Sequence, residues 1–338
     1  MNANIKKINL QLFAAGDVVN ATTSTELSAE MKTFYDKTLI TLASPYLVHD
    51  QFGQKRDIPE GNGKNIEFRK FSSLPKATTP LTEGVTPTGN KLNVSTITAT
   101  VEQYGDYIEQ TDMLELTAVD NTIVEATKQL ASQAGLTMDT VVRNEINAGT
   151  NVMYCPSVED GVVTTVSTRS AITDKCLLRV EDVFKAAALL KAVNAPKIDG
   201  YYVAIIHPYV AFDLMQKAGN QWMEVQKYTT SENMLKGEIG CLGGVRFVES
   251  TEAKIWKTDG DSPAVFSTLV LGADAYGVSN IGGKGIEHIV KQKGYGNDPL
   301  NQRSSIGWKA IKTAKRLVEE YMIRIESGSS FSGTAKAN

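Results

Sequence analysis

Three cysteines and three histidines among 338 residues leave this chain little material for thiol or metal chemistry. Cys155, Cys176 and Cys241 are too far apart for a C-x-x-C pair, and an odd count fits neither a disulfide framework nor a zinc site, so the pattern points to reduced, cytosolic folding. His49, His207 and His288 have no second His or suitable acidic residue four positions away, and H-E-x-x-H is absent. Lone histidines are usually structural, and His207, directly before Pro208, reads as a helix-entry residue. G-x-S-x-G is absent, and with it the usual hydrolase elbow. The run GVSNIGGKG at 277–285 comes near a phosphate loop, but Gly283 stands where Lys is required and no Ser or Thr follows Lys284. This run and GEIGCLGG at 237–244 read as tight turns. No apolar run approaches the roughly 18 residues of a membrane span. Lys6 and Lys7 precede only a weakly apolar stretch, 8–15, interrupted by Asn9 and Gln11, too poor for a secretory signal. Charge excess is also missing: 35 Lys and Arg against 38 Asp and Glu give a net charge of −3, which argues against a chain built to grip nucleic acid.

What remains is ordinary globular material, 42% hydrophobic and 22% charged, in a chain long enough for two or more packed subdomains. Residues 1–25 are poor in large apolar side chains after Phe13 and read as an arm. A helix is predicted over 26–43, where Leu27, Met31, Phe34, Thr38 and Leu42 recur at helical spacing, with Thr23 offering a capping box and Pro45 ending it. From 54 to 92 the chain is a weakly structured insertion around one strand, 65–71. A long strand over 93–110 follows, with Ile97, Ala99 and Val101 on one face and a phase slip near Tyr104 that predicts a bulge. The two strands make a hairpin with too few apolar residues to be stable alone, so it needs a neighbour. The longest helix spans 120–148, with Ile123, Thr127, Leu130, Ala134, Met138, Val141 and Val142 in one stripe, Asp120 as N-cap, Gly149 beyond the end and Gly135 marking a bend. An alternating α/β block comes next: helix 180–193, a fully apolar strand 201–206, helix 208–217, and strands 245–249, 265–271, 273–278 and 286–291. The ending 298–327 alternates twice with period two, first through Ile306, Trp308 and Ala310, then through Tyr321, Ile323 and Ile325. It is expected to close a sheet beside the long helix, with Trp308 and Ile323 facing that helix.

The segments LSAEMKTFYDKTLI, HDQFGQKRDIP, IEFRKFSSLPKATTPLTEGVTP, ITATVEQYGDYIEQTDMLELTAVD, IHPYVAFDL, GEIGCLGGVRFVES and DPLNQRSSIGWKAIKTAKRL run in order along nearly the whole chain. Together they resemble the major capsid proteins of tailed double-stranded DNA phages, in particular the phage N-four-type capsid family. The resemblance implies an α+β protein of the Hong Kong 97-type capsid fold. On that basis 1–50 is an N-terminal arm, 51–95 an extended loop reaching over the next subunit, and 96–179 a peripheral domain with spine helix 120–148. Residues 180–297 are then an α/β axial domain, 298–327 returning peripheral strands, and 328–338 a flexible tail. It further implies hexamers and pentamers in an icosahedral head that encloses double-stranded DNA non-specifically, with a portal, no cofactor, no metal, no catalytic residue and no membrane. Because the arm is short, a separate scaffolding protein is expected. The residues expected at contacts between subunits are Phe34, Tyr35, Phe68, Arg69, Phe71, Lys76, Glu83 and Lys91. The lysines in and beside the insertion read either as contacts to a neighbour's acidic surface or as a solubilising edge. Rival readings are an encapsulin-like compartment, which shares the fold, and an enzyme built on the block 180–291.

Overall fold

The computed structural model describes residues 47–71, 74–86, 88–117, 122–222, 224, 235, 237–257, 263–282 and 285–338. The helix expected over 26–43, and the expected cap Asp120, lie outside these. In chain order the strands and helices are β1 (Gln54–Lys55), β2 (Asn65–Phe71), β3 (Val94–Thr100), β4 (Glu102–Thr111), α1 (Asp112–Thr117), α2 (Thr122–Asn147), β5 (Val152–Tyr154), β6 (Ser157–Glu159) and β7 (Val162–Thr164). There follow α3 (Val180–Ala192), β8 (Tyr202–Ile206), α4 (Pro208–Ala218), β9 (Glu238–Leu242), β10 (Val245–Glu249), β11 (Ile255–Trp256) and β12 (Val265–Leu271). The chain closes with β13 (Tyr276–Ser279), β14 (Ile286–Lys291), β15 (Arg303–Arg316) and β16 (Met322–Ser327).

Two sheets organise these elements. The larger has seven strands in the order β5-β16-β12-β8-β10-β9, with β11 also paired to β12. The smaller has five and is built on β15, which pairs with β4 along one side and with β14 and then β13 along the other; β1 runs parallel to β13. The hairpins β2–β3 and β6–β7 stand apart from both. Sheet membership divides the expected axial block, because β13 and β14 belong with β15 rather than with β8, β10 and β12. The C-terminal strands part in the same way: β15 joins the small sheet, whereas β16 is inserted between β5 and β12 in the large one.

Helix α2 has 26 residues, about 39 Å at 1.5 Å per residue, and is unbroken at the buried Gly135 where a bend was expected. Its apolar stripe serves both sheets. Ala126, Leu130, Ala131, Ala134 and Met138 pack on Ile306, Trp308 and Ala310 of β15. One and two turns further on, Val142 and Ile146 pack with Val203, Ile205 and Leu269 of the large sheet, and with Val48, Phe52 and Tyr276. On the far face of the large sheet, α3 and α4 cover a third cluster through Val183, Ala186, Leu190, Val210 and Leu214. Trp308 faces α2 as expected and donates its indole N–H to Gln133 at 3.1 Å. Ile323 does not, because it belongs to the cluster under α3 and α4.

Buried charge finishes the helix end. Arg316 donates to the carbonyl of Glu145 at 2.6 Å, and Arg324 donates to the carbonyls of Asn147 and Gly149. Two cations thus meet the negative end of the α2 dipole and its terminal carbonyls. Gly149 is not the left-handed cap its position predicted. A side chain there would collide with the Glu319 carboxylate, which accepts from the backbone N–H of Thr150. In β16 every residue is buried, so the alternation of Ile323 and Ile325 with Arg324 and Glu326 does not mark a solvated face. Glu326 is neutralised by Arg169, at 2.7 and 2.6 Å, and by Arg324 at 2.8 Å.

Three other expectations change. The strand expected over 93–110 breaks at Val101, not at Tyr104, because the chain changes partner there: β3 pairs with β2 and β4 pairs with β15. The glycine-rich run at 237–244 contains a strand, β9, joined to β10 by a two-residue turn at Gly243 and Gly244, both at positive φ. The tail 328–338 is docked. Ser329 and Ser330 donate hydroxyls to Asp213 of α4 at 2.7 and 2.6 Å, Phe331 stacks on Tyr209, and Asn338 accepts from the Ile255 backbone N–H.

His207 is the helix-entry residue that its position before Pro208 predicts, since its Nδ1 accepts the Tyr209 backbone N–H at 3.2 Å. Burial lowers its pKa from 6.5 to about 4, and a protonated Nδ1 cannot accept that bond. Between these values the unfolded chain binds more protons than the folded one, so stability falls as pH drops from about 6.5 towards 4. In thermal unfolding across pH 7 to 4, His207→Asn, which keeps a capping oxygen and removes the titration, is expected to show a flatter profile than the native chain. An unchanged pH slope would count against this assignment.

Candidate assembly interface

The feature that the packing leaves unexplained is the β2–β3 hairpin with its connecting segment. The strands pair antiparallel from Asn65↔Thr100 to Phe71↔Val94, yet among their residues only Phe68 and Ala99 are buried. Phe68 holds the hairpin to the body. Its ring lies over Gly277 of β13, where a Cβ would stand 2.6 Å from the ring edge. The Lys70–Glu320 ion pair, at 3.8 Å and largely exposed, adds little. Ala99 is buried as well and β3 approaches β15, so the hairpin is held only near its base, with Phe68 as its largest buried side chain.

The connecting residues 74–86 and 88–93 form no helix or strand and are all exposed. Polar composition does not account for this, because Phe71, Leu74, Leu81, Val85, Leu92 and Val94 are large apolar residues in water, Leu81 at 78% exposure. A single exposed Leu is unremarkable, whereas a series along one projecting segment marks a surface to be covered.

The predicted contact residues separate on this geometry. Arg69, Phe71, Lys76, Glu83 and Lys91 are exposed on the hairpin or its connecting segment. Phe68, at 3% exposure, is already buried by its own chain and is not free for a neighbour. The alternation of β2 could have indicated this, since Phe68 falls on the face shared with Ile66 and Lys70. Phe34 and Tyr35 lie outside the described residues.

The segment preceding the hairpin is anchored firmly. His49 and Asp139 are both fully buried; the His49 backbone N–H donates to Asp139 at 2.7 Å and its ring Nδ1 lies 2.6 Å from the other carboxylate oxygen. Tyr276 donates its hydroxyl to the His49 carbonyl, and Lys312 reaches Asp50 at 2.6 Å. Desolvation raises the Tyr276 pKa well above its usual value, with the nearby Asp50 charge adding to it. The sequence did not single out this cluster. Its partners lie about 90 to 260 residues apart, and no local spacing signals them.

Among the described residues no group of His, Cys, Asp and Glu could hold a metal ion, and no helix is long and apolar enough to cross a membrane. The three cysteines are free and buried, and desolvation pushes the Cys155 thiol well above its usual pKa. A cleft of about 480 Å³ opens at the carboxyl ends of β8 and β10, where an α/β enzyme would bind its ligand. Of its three acidic residues, Glu238, Glu249 and Glu252, the first is paired with Arg246 and the last with Arg143.

The capsid of Ralstonia phage GP4 superimposes with a TM-score of 0.65 at 13% identity, over 83% of this chain and 88% of that one. The fold is the Hong Kong 97-type capsid fold. The capsid of cyanophage P-SCSP1u shares it over 94% of this chain and 92% of its own, with a TM-score of 0.61 and 15% identity. The cyanophage Pam1 capsid does so over 86% and 93%, with a TM-score of 0.56 and 12% identity. No family model matches the sequence, and no curated protein does. The capsid fold is thus retained at identities where sequence comparison finds nothing.

Because Gly277 has an ordinary backbone φ, a side chain added there acts only by displacing Phe68. In Gly277→Val, amide exchange across 65–100 is expected to quicken by about 10-fold or more while α2 keeps its protection. Unchanged exchange in the hairpin would mean that Phe68 is not its anchor.

Proposed function

We propose that the chain is a major capsid protein that self-assembles into the icosahedral head of a tailed phage. The observation that carries this reading is the near-complete two-way overlap with phage capsid chains, 94% of this chain and 92% of the cyanophage P-SCSP1u capsid. The exposed apolar segment supports it independently, since a subunit of a closed shell has a neighbour to cover such a surface. The encapsulin-like alternative is not favoured, because the similar structures are phage capsids. An enzyme on the α/β block is not favoured either, since two carboxylates of its cleft are held in ion pairs.

In this reading the subunit is structural. It forms hexamers and pentamers around non-specifically enclosed double-stranded DNA, in the virion, after assembly in the host cytoplasm with a scaffolding protein and a portal. Residues 1–50 form the arm and 51–95 the extended loop. The peripheral domain combines α2 with the small sheet, and the axial domain is centred on α3, β8, α4, β10 and β12. Arg69, Phe71, Lys76, Glu83 and Lys91, with Phe34 and Tyr35 of the arm, contact neighbouring subunits.

Electron microscopy of the purified chain with its scaffold should show capsomers or shells; dispersed monomers under all assembly conditions would refute the reading. Leu81→Asp with Val85→Asp removes exposed apolar contacts expected to contribute about 1.5–3 kcal/mol each when buried. This variant should fold with unchanged thermal stability yet fail to form shells, and normal shells from it would remove the loop from the interface.

A further inference from the structure

Strand β4 has ten residues and pairs with β15 on one side only; among the described residues nothing pairs with its other edge. The free edge carries backbone donors. The Tyr107 N–H turns to its own Asp106 carboxylate, at 2.8 Å, instead of to β15. In an antiparallel ladder alternate residues point the same way, so Gln103, Gly105 and Glu109 also direct their N–H and C=O groups outward. An edge this long, without proline and in unbroken register with its partner, readily accepts another strand. Its side chains narrow the choice. Glu102, Asp106 and Glu109 are acidic and no basic residue is present, so β4 repels a second copy of itself. On the side facing α2, Tyr104 and Ile108 sit half-buried at the rim of the core around Trp308.

The complementary element is in the sequence. Residues 6–13, KKINLQLF, alternate Ile8, Leu10 and Leu12 with Lys7, Asn9 and Gln11, and no acidic residue occurs before Asp17. The stretch failed as a secretory signal for the same polar residues that give it a period of two. With the helix predicted over 26–43 rising about 1.5 Å per residue and the remainder extended, the chain between Phe13 and Leu47 can span about 80 Å, enough to reach another subunit. Strand β14, whose outer edge is also unpaired among the described residues, has six residues and mixed charge, and fits a basic strand less well.

We propose that residues 6–13 of one subunit add as a strand to the free edge of β4 in an adjacent subunit. Ile8, Leu10 and Leu12 extend the core past Tyr104 and Ile108, and Lys6 and Lys7 offset the acidic edge. This rests on the shell reading and adds a backbone-paired link distinct from the loop contact. Strand addition gains main-chain hydrogen bonds as well as apolar burial.

The test uses two chains, one lacking residues 2–13 and one of full length carrying Tyr107→Pro. Proline is tolerated at an edge position whose N–H faces outward, and it blocks strand addition there. In mixed assemblies only the full-length chain can supply the strand and only the truncated chain can receive it. Amides of Gly105 and Glu109 in the truncated chain should exchange about 10-fold more slowly in the mixture than in that chain alone. Protection confined to the native full-length chain, and absent from the mixture, would mean that the strand pairs within its own subunit and would overturn the proposal. Particles of native chain with unprotected β4 amides would overturn it and leave the shell reading intact. If the native chain forms no particles, both fall. In Lys6→Glu with Lys7→Glu the protection should be lost, and its persistence would overturn the charge argument.

Discussion

One helix face, buried twice, carries the architecture. The stripe from Ala126 to Ile146 on α2 packs on both sheets, its first turns against β15 of the small one and its last two, at Val142 and Ile146, among residues of both. A rigid helix shared in this way fixes the sheets relative to each other, because neither can shift without uncovering apolar surface. Disposing of the helix terminus creates the second constraint. Four carbonyls at the end of a buried helix need donors; Arg316 and Arg324 reach those of Glu145 and Asn147, and the backbone N–H groups of Ala148 and Gly149 reach those of Asn144 and Ile146. These arginines stand on consecutive strands, β15 and β16, that belong to different sheets. The return of the C-terminus therefore ties helix, small sheet and large sheet at one corner.

Charge burial follows from that geometry. Arg324 can sit in the large sheet only because Glu326 and the helix carbonyls receive it, and Glu326 only because Arg169 completes its pairing. Removing one member of such a group leaves an unpaired buried charge, which costs far more than the intact group contributes. About two turns back along α2, Asp139 with His49, Tyr276, Asp50 and Lys312 anchors the chain immediately ahead of the hairpin. The projecting segment thus departs from a fixed base, with Phe68 over Gly277 as its main further attachment.

A heavily anchored body thus carries a lightly attached, apolar-studded projection. The proposed shell function gives the two parts different tasks: the body a plate of constant shape, the projection contact area for another copy.

How much of this the sequence determined depends on the range of the interaction concerned. Helical periodicity located α2, α3 and α4 to within a few residues, since the 3.6-residue repeat is a local property. Short apolar stretches located β8, β10 and β12 for the same reason, and the alternation through Ile306, Trp308 and Ala310 identified the face of β15 that meets α2. The paucity of apolar residues in the hairpin likewise announced that it could not stand alone. Period two, however, names a face and not a partner. The exchange of β2 for β15 at Val101, the separation of β15 from β16, and the orientation of Ile323 away from α2 were decided by packing between distant segments. The same holds for Arg324 and Glu326, whose charge reads as solvent exposure until partners 157 residues and more away are in place. The seating of Phe68 over a glycine some 200 positions on, and the His49–Asp139 pairing, exist only in the folded chain. Burial and pairing of polar groups are non-local quantities, and tertiary structure alone decides them.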